Sequence, residues 1–96
     1  MDKRFNPLSP GDALQARRAL AEELAAQPSM PIPLVIRKIR ASLRLTLAEY
    51  AKLCGVSTRT LQDVEREESS PTLATAEKLL RPMGMVPSAA PKPRQR

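Results

Sequence analysis

The 96-residue sequence predicts an all-α protein, a compact helical bundle with an extra N-terminal helix and a basic C-terminal tail. Three observations carry this. Apolar residues recur at spacings of three and four, capping residues stand just ahead of these runs, and prolines divide the chain into three parts. The parts are an N-terminal helix with a proline-rich linker at 1–33, a central helical domain at 34–86 and a flexible basic tail at 87–96.

The run Ser9-Pro10-Gly11-Asp12 opens the first helix: Ser9 caps it, Pro10 fits the first helical position, and Asp12 lies beside the positive helix end. The helix runs to Gln27, where Pro28 stops it. Its stripe, Ala13, Ala16, Leu20 and Leu24, is thin and rich in alanine, so it can dock on a partner or on its own domain but cannot form a core alone. The prolines at 28, 31 and 33 predict an extended linker over 27–33 that decouples this helix from the rest. On that reading the helix is dispensable for folding and serves assembly or a protein partner.

From Leu34 a second helical pattern sets Ile36, Ile39 and Leu43 on one face and Arg37, Lys38, Arg40 and Arg44 on the others. Thr46 caps a third helix that runs to Cys54, with Glu49 completing a Thr-x-x-Glu capping box. Gly55 ends it where left-handed backbone is needed. Ser57 caps a fourth helix with Leu61 and Val64 inward and Arg59, Gln62 and Asp63 pointing elsewhere. The polar run from Glu67 to Pro71 is a loop, and Thr72 starts a last helix with Leu73, Ala76, Leu79 and Leu80 as its apolar face, closed by Pro82 and Gly84.

Sixteen Lys and Arg against ten Asp and Glu give a net charge of +6, concentrated in the middle part and the tail, which favours an anionic partner. One cysteine, Cys54, and no histidine leave no intrachain disulfide and almost no metal ligands, which excludes zinc-dependent DNA binding. With no histidine, no Gly-rich phosphate loop and no nucleophile beside a base, the chain reads as a binding module, not an enzyme, and no cofactor is implied. No apolar run approaches the roughly 18 residues of a transmembrane helix, and the Met1-Asp2 start lacks the order of a signal peptide. The expected location is the cytoplasm, on the nucleoid, with no membrane partner.

Two short helices joined by Cys54-Gly55-Val56-Ser57 fit a helix-turn-helix: the glycine permits a sharp reversal, Val56 anchors the turn, and Ser57 caps a helix that can enter the major groove. The segments Ile36-Arg37-x-Ile39-Arg40, Leu45-Thr46, Glu49-Tyr50-Ala51, Gly55-Val56-Ser57, Thr60-Leu61, Val64-Glu65-Arg66 and Pro71-Thr72-Leu73 stand in order and at set spacings. Over residues 34–85 the sequence thereby resembles the Xre/Cro/C-repressor type of helix-turn-helix. The resemblance implies a lambda-repressor-like fold, double-stranded DNA as partner and a homodimer. Carried over residue by residue, it sets Thr58, Arg59 and Gln62 over base edges and Thr46, Ser57 and Arg66 on the backbone, and it pairs Glu65 with Arg40 as an internal brace.

Three positions depart from the family pattern. Leu47 stands in place of a glutamine that orients the recognition helix. Arg44 replaces a glycine, so it must adopt left-handed backbone or the turn must differ. Pro82 interrupts the usual final helix. The end of the domain, followed by Met85-Val86, also looks like the antitoxins of the HipB kind, homodimeric autorepressors encoded beside a toxin. There a dimer-forming strand follows, and Pro87 removes a ladder donor from such a strand.

The expected function is sequence-specific transcriptional regulation by a dimeric autorepressor on an inverted-repeat operator with half-sites about 34 Å apart. A toxin is a second partner in the antitoxin reading. The alternative is a protein-interaction module, in which the helix-turn-helix is scaffold and the N-terminal helix neutralises a toxin or recruits another regulator. Single residues carry paired readings too. Arg59 is a guanine reader or a solvated arginine, and Cys54 is a small core residue or a redox-sensitive thiol with only Lys52 basic beside it. Asp63 is awkward beside phosphates, and Glu67 and Glu68 form a solvated loop or meet a protein partner. The tail Pro91-Lys92-Pro93-Arg94-Gln95-Arg96 is a basic arm along DNA or a solubilising end.

Overall fold

The computed structural model describes residues 8–89 and 91. Five helices follow one another: α1 (Pro10–Ala26), α2 (Ile32–Ser42), α3 (Leu47–Cys54), α4 (Thr58–Glu65) and α5 (Leu73–Leu80), and then a 3-10 turn over Arg81–Met83. The described residues contain no strand, and none of their helices is long and apolar enough to cross a membrane.

The capping residues act as their chemistry dictates. Ser9 Oγ accepts the Asp12 N–H at 3.1 Å to start α1, and Thr72 Oγ1 accepts the Thr75 N–H at 3.1 Å to start α5. Between α1 and α2 the structure departs from the predicted extended linker over 27–33. The chain turns at Pro28-Ser29, and α2 begins at Ile32, ahead of the Leu34 start read from the sequence. Pro31 takes the N-cap position and Pro33 lies in the first turn. The first N–H groups of a helix have no intrahelical acceptor, so a proline there loses no hydrogen bond, and its fixed φ suits the helix.

The core unites all five helices. Ile36 and Ile39 of α2, Tyr50 of α3, Leu61 and Val64 of α4 and Leu79 of α5 are fully buried. The first helix is not decoupled from them: Leu20 and Leu24 retain only 3% and 4% exposure and belong to the same apolar cluster. Two leucines one turn apart dock the second half of α1, with the Lys38 Nζ to Glu23 Oε2 pair at 2.8 Å bridging α1 and α2 at the surface. The first half of α1 is different, since Ala13 and Ala16 are half-buried and Leu14 is 51% exposed. The expectation that this helix is dispensable therefore does not fit its burial.

Leu73 corrects a second expectation. It shares the helical spacing of Ala76 and Leu80, yet it occupies the first position of α5 and stays exposed while Ala76, Leu79 and Leu80 are buried. The spacing fixes the side of the helix a residue lies on, not how far along the helix the core extends.

The three departures from the family pattern have local explanations. Arg44 adopts left-handed backbone, φ 55, at a strain of about 1 kcal/mol, and the Leu45 N–H closes the end of α2 by donating to Arg40 O at 3.1 Å. Leu47, the first residue of α3, packs against the core margin, so an apolar contact stands where a polar one would be. At Pro82 the helix tightens into the 3-10 turn, which Gly84 ends at φ 68, and Met83 and Met85 on either side of that glycine return to the core.

A further tie joins α3 to α5. The buried Tyr50 hydroxyl donates to Leu79 O at 2.6 Å, satisfying one of the carbonyls that a helix C-terminus leaves without a partner. Burial raises the pKa of this phenol, and the nearby Cys54 adds to the shift. Cys54 itself is buried on α3, and desolvation raises its thiol pKa. Thiolate is thus scarce at neutral pH, and the residue packs as a small core side chain.

Candidate nucleic-acid interface

The unit α3–turn–α4 is built from short-range bonds. Thr46 Oγ1 accepts the Glu49 N–H at 3.1 Å while Glu49 Oε1 accepts the Thr46 N–H at 2.8 Å, a complete capping box. At the far end of α3, Gly55 takes φ 77 and ψ 32, and the Val56 N–H donates to Ala51 O at 3.0 Å. Val56 packs against the core, and Ser57 then caps α4 by accepting the Thr60 N–H at 3.0 Å. Gly55 is the residue that permits the left-handed step without steric strain.

The inner face of α4 carries Leu61, Val64 and Glu65, all buried. Glu65, 6% exposed, meets Arg40 of α2 in a bidentate pair: Arg40 Nε donates to Oε2 at 2.8 Å and Nη2 to Oε1 at 2.9 Å. The third nitrogen, Nη1, donates to Leu45 O at 3.1 Å. Both carboxylate oxygens and every guanidinium nitrogen are therefore engaged, the condition under which a buried charge is tolerated. Two parallel bonds to a planar fork fix rotation as well as distance, so this pair sets how α4 is turned about its axis.

That rotation sends the rest of α4 outward. Thr58 and Arg59 are exposed, Gln62 is half-buried, and Arg66, the C-cap residue, is exposed. Their spacing places them along one side of the helix, opposite Leu61 and Val64. Thr46 and Ser57 lie at the N-termini of α3 and α4, where helices present free N–H groups and partial positive charge. The structure thus brings Thr58, Arg59 and Gln62 onto one face and Arg40 and Glu65 into contact, with Thr46, Ser57 and Arg66 at helix ends.

Two partners on α4 escaped the sequence reading. Thr60 Oγ1 shares a hydrogen bond with Ser57 Oγ at 2.8 Å, legible in the Ser-x-x-Thr spacing. Asp63 Oδ1 accepts from Arg59 Nε at 3.2 Å, legible in the i,i+4 spacing of opposite charges. Beyond α4, Glu67 adopts positive φ, 59, and lies 4.0 Å from Arg37 in an exposed pair. Ser29 Oγ donates to Pro91 O at 3.3 Å, so the segment after α5 returns to the corner between α1 and α2. Lys92, Arg94 and Arg96 of the basic tail lie outside the described residues.

A family model described as helix-turn-helix matches residues 36–89. No curated protein and no solved structure matches the chain. The matched span covers more than half of the sequence and holds α2 from Ile36 onward together with α3, the Gly55 turn, α4 and α5. With the fold and the two-faced α4 in agreement with that match, the chain belongs to the Xre/Cro/C-repressor-type helix-turn-helix family of DNA-binding transcription regulators.

Proposed function

We propose that the protein is a sequence-specific regulator that binds an inverted-repeat operator as a homodimer and represses its own promoter, with α4 in the major groove. The observation that carries this reading is the division of α4: one face is locked to α2 through Glu65 and Arg40, and the other holds Thr58, Arg59 and Arg66 exposed with Gln62 half-buried beside them. Arg59, two residues after the cap and 81% exposed in its side chain, suits a guanine O6 and N7 contact, with Thr58 and Gln62 beside it. Thr46, Ser57 and Arg66 suit phosphates, where a capped helix end or a cation sets register without reading sequence. The unit at 34–86 serves as the DNA-binding domain, in the cytoplasm and on the nucleoid. The half-exposed start of α1, with Leu14 facing solvent, favours a protein partner as a second role, such as the toxin of an antitoxin pair.

Titration of the full chain against its own upstream duplex at several salt concentrations tests the reading. Arg59→Ala should lower specific affinity by about 1–3 kcal/mol and relax preference at one base pair. Arg66→Ala should weaken specific and random duplexes alike and reduce the salt slope by about one. An Arg59→Ala protein that stays folded and retains both affinity and preference would overturn the groove assignment.

A further inference from the structure

We propose that Asp63 is a specificity-determining residue that positions the Arg59 guanidinium for end-on contact with a guanine. The inference rests on the reading of α4 as the groove-facing helix. Asp63 Oδ1 accepts from Arg59 Nε at 3.2 Å, while the Arg59 side chain is 81% exposed and that of Asp63 only 27%. The less exposed carboxylate is the anchor and the arginine is what it holds. Of the five guanidinium N–H groups, the one on Nε is thereby taken up, and the four on the terminal nitrogens remain free. Those terminal nitrogens present two parallel donors, the pattern that matches O6 and N7 of guanine.

The pair is poorly suited to stabilising the helix itself. A cation four residues ahead of an acid runs against the helix dipole, with Arg59 in the positive first turn of α4, and the reverse order is the more stabilising one. Its effect therefore falls on the conformations open to Arg59. A long exposed arginine loses rotamer freedom when it binds, and a side chain already held loses less. The same carboxylate repels phosphates, so it weakens contact with random DNA while sharpening contact with the correct base pair.

The test begins with the full chain selecting duplexes from a randomised library and uses Arg59→Ala to identify the base pair that Arg59 reads. At that base pair Asp63→Ala should lower the preference by about two- to tenfold, with tighter binding to random duplex and an unchanged melting temperature. Asp63→Asn, which keeps an oxygen acceptor for Nε, should retain more of the preference. In an Arg59→Ala background, Asp63→Ala should change nothing at that base pair. If Arg59→Ala erases the preference and Asp63→Ala does not reduce it, the positioning role is overturned and the groove assignment stands. Loss of preference from Asp63→Ala with or without Arg59 would overturn it as well. Absence of any preference in the unaltered chain, or one that Arg59→Ala leaves intact, would overturn both.

Discussion

The helices α1 and α4 are held to the same core by unlike means. Over its 17 residues α1 buries two leucines and adds one surface ion pair to α2. Over only eight residues α4 buries three side chains, one of them a carboxylate with two directional bonds to Arg40. Apolar contact is non-directional and tolerates small rotations, whereas a bidentate charged pair does not. Length, then, is no guide to how firmly an element is oriented. The shorter helix is the better specified, as suits an element whose outer side chains must meet base edges at a set angle.

The largest expected effect comes from breaking the polar hold. Glu65→Ala strands Arg40 among partly buried groups and should cost about 3 kcal/mol of stability in urea unfolding. Glu67→Ala and Glu68→Ala, at exposed loop positions, should stay within about 0.5 kcal/mol. Equal losses for all three would erase the contrast between the helices. Next is the apolar hold on α1. Leu24→Ala should cost about 2–3 kcal/mol, since it empties a packed site at the α1–α2 contact. Leu14→Ala should cost under about 0.5 kcal/mol. A silent Leu24→Ala would mean that α1 rests on the core without depending on it, and removing residues 1–29 would then leave the remainder folded.

The smallest effect sharpens the picture at α3, which lies against both α4 and α5. Burial raises the pKa of Cys54 and of Tyr50 above their ordinary values of 9.0 and 10.0. The unfolded chain releases these protons at the ordinary values while the folded chain keeps them. Stability is therefore full below that range and falls as pH rises through it, by at most about 1.4 kcal/mol per pH unit for each group. Cys54→Ala should move the onset of alkaline destabilisation up to the phenol range, as followed by thermal melts across pH. An onset that does not move would show that the thiol ionises as freely in the folded state as in the unfolded chain.

Much of the bundle was legible from local chemistry. Ser9, Thr46, Ser57 and Thr72 each announce a helix because a hydroxyl that accepts an N–H is a short-range device, readable within four residues. The limits of the reading lie in longer-range facts. Proline at 31 and 33 suggests extension, but the outcome depended on whether a helix could start around them. Leu20 and Leu24 amount to little when tallied along α1, and only the position of α2 made them core. Leu73 fits the periodicity and still lies outside the core. The outward and inward sides of α4 followed from spacing, while the contact of Asp63 with Arg59 required weighing an acid as a partner for the arginine and not as an obstacle to phosphate.

The Tyr50 hydroxyl bond to Leu79 also has a spectroscopic consequence. The chain has one tyrosine and no tryptophan, so its near-ultraviolet signal arises chiefly from a ring at the contact of α3 and α5. Circular dichroism in that region reads fixed side-chain packing, while the far-ultraviolet signal reads helical backbone everywhere. Followed together through a melt, the two signals distinguish loosening at that contact from fraying of α1, whose 17 residues add helical signal and no tyrosine.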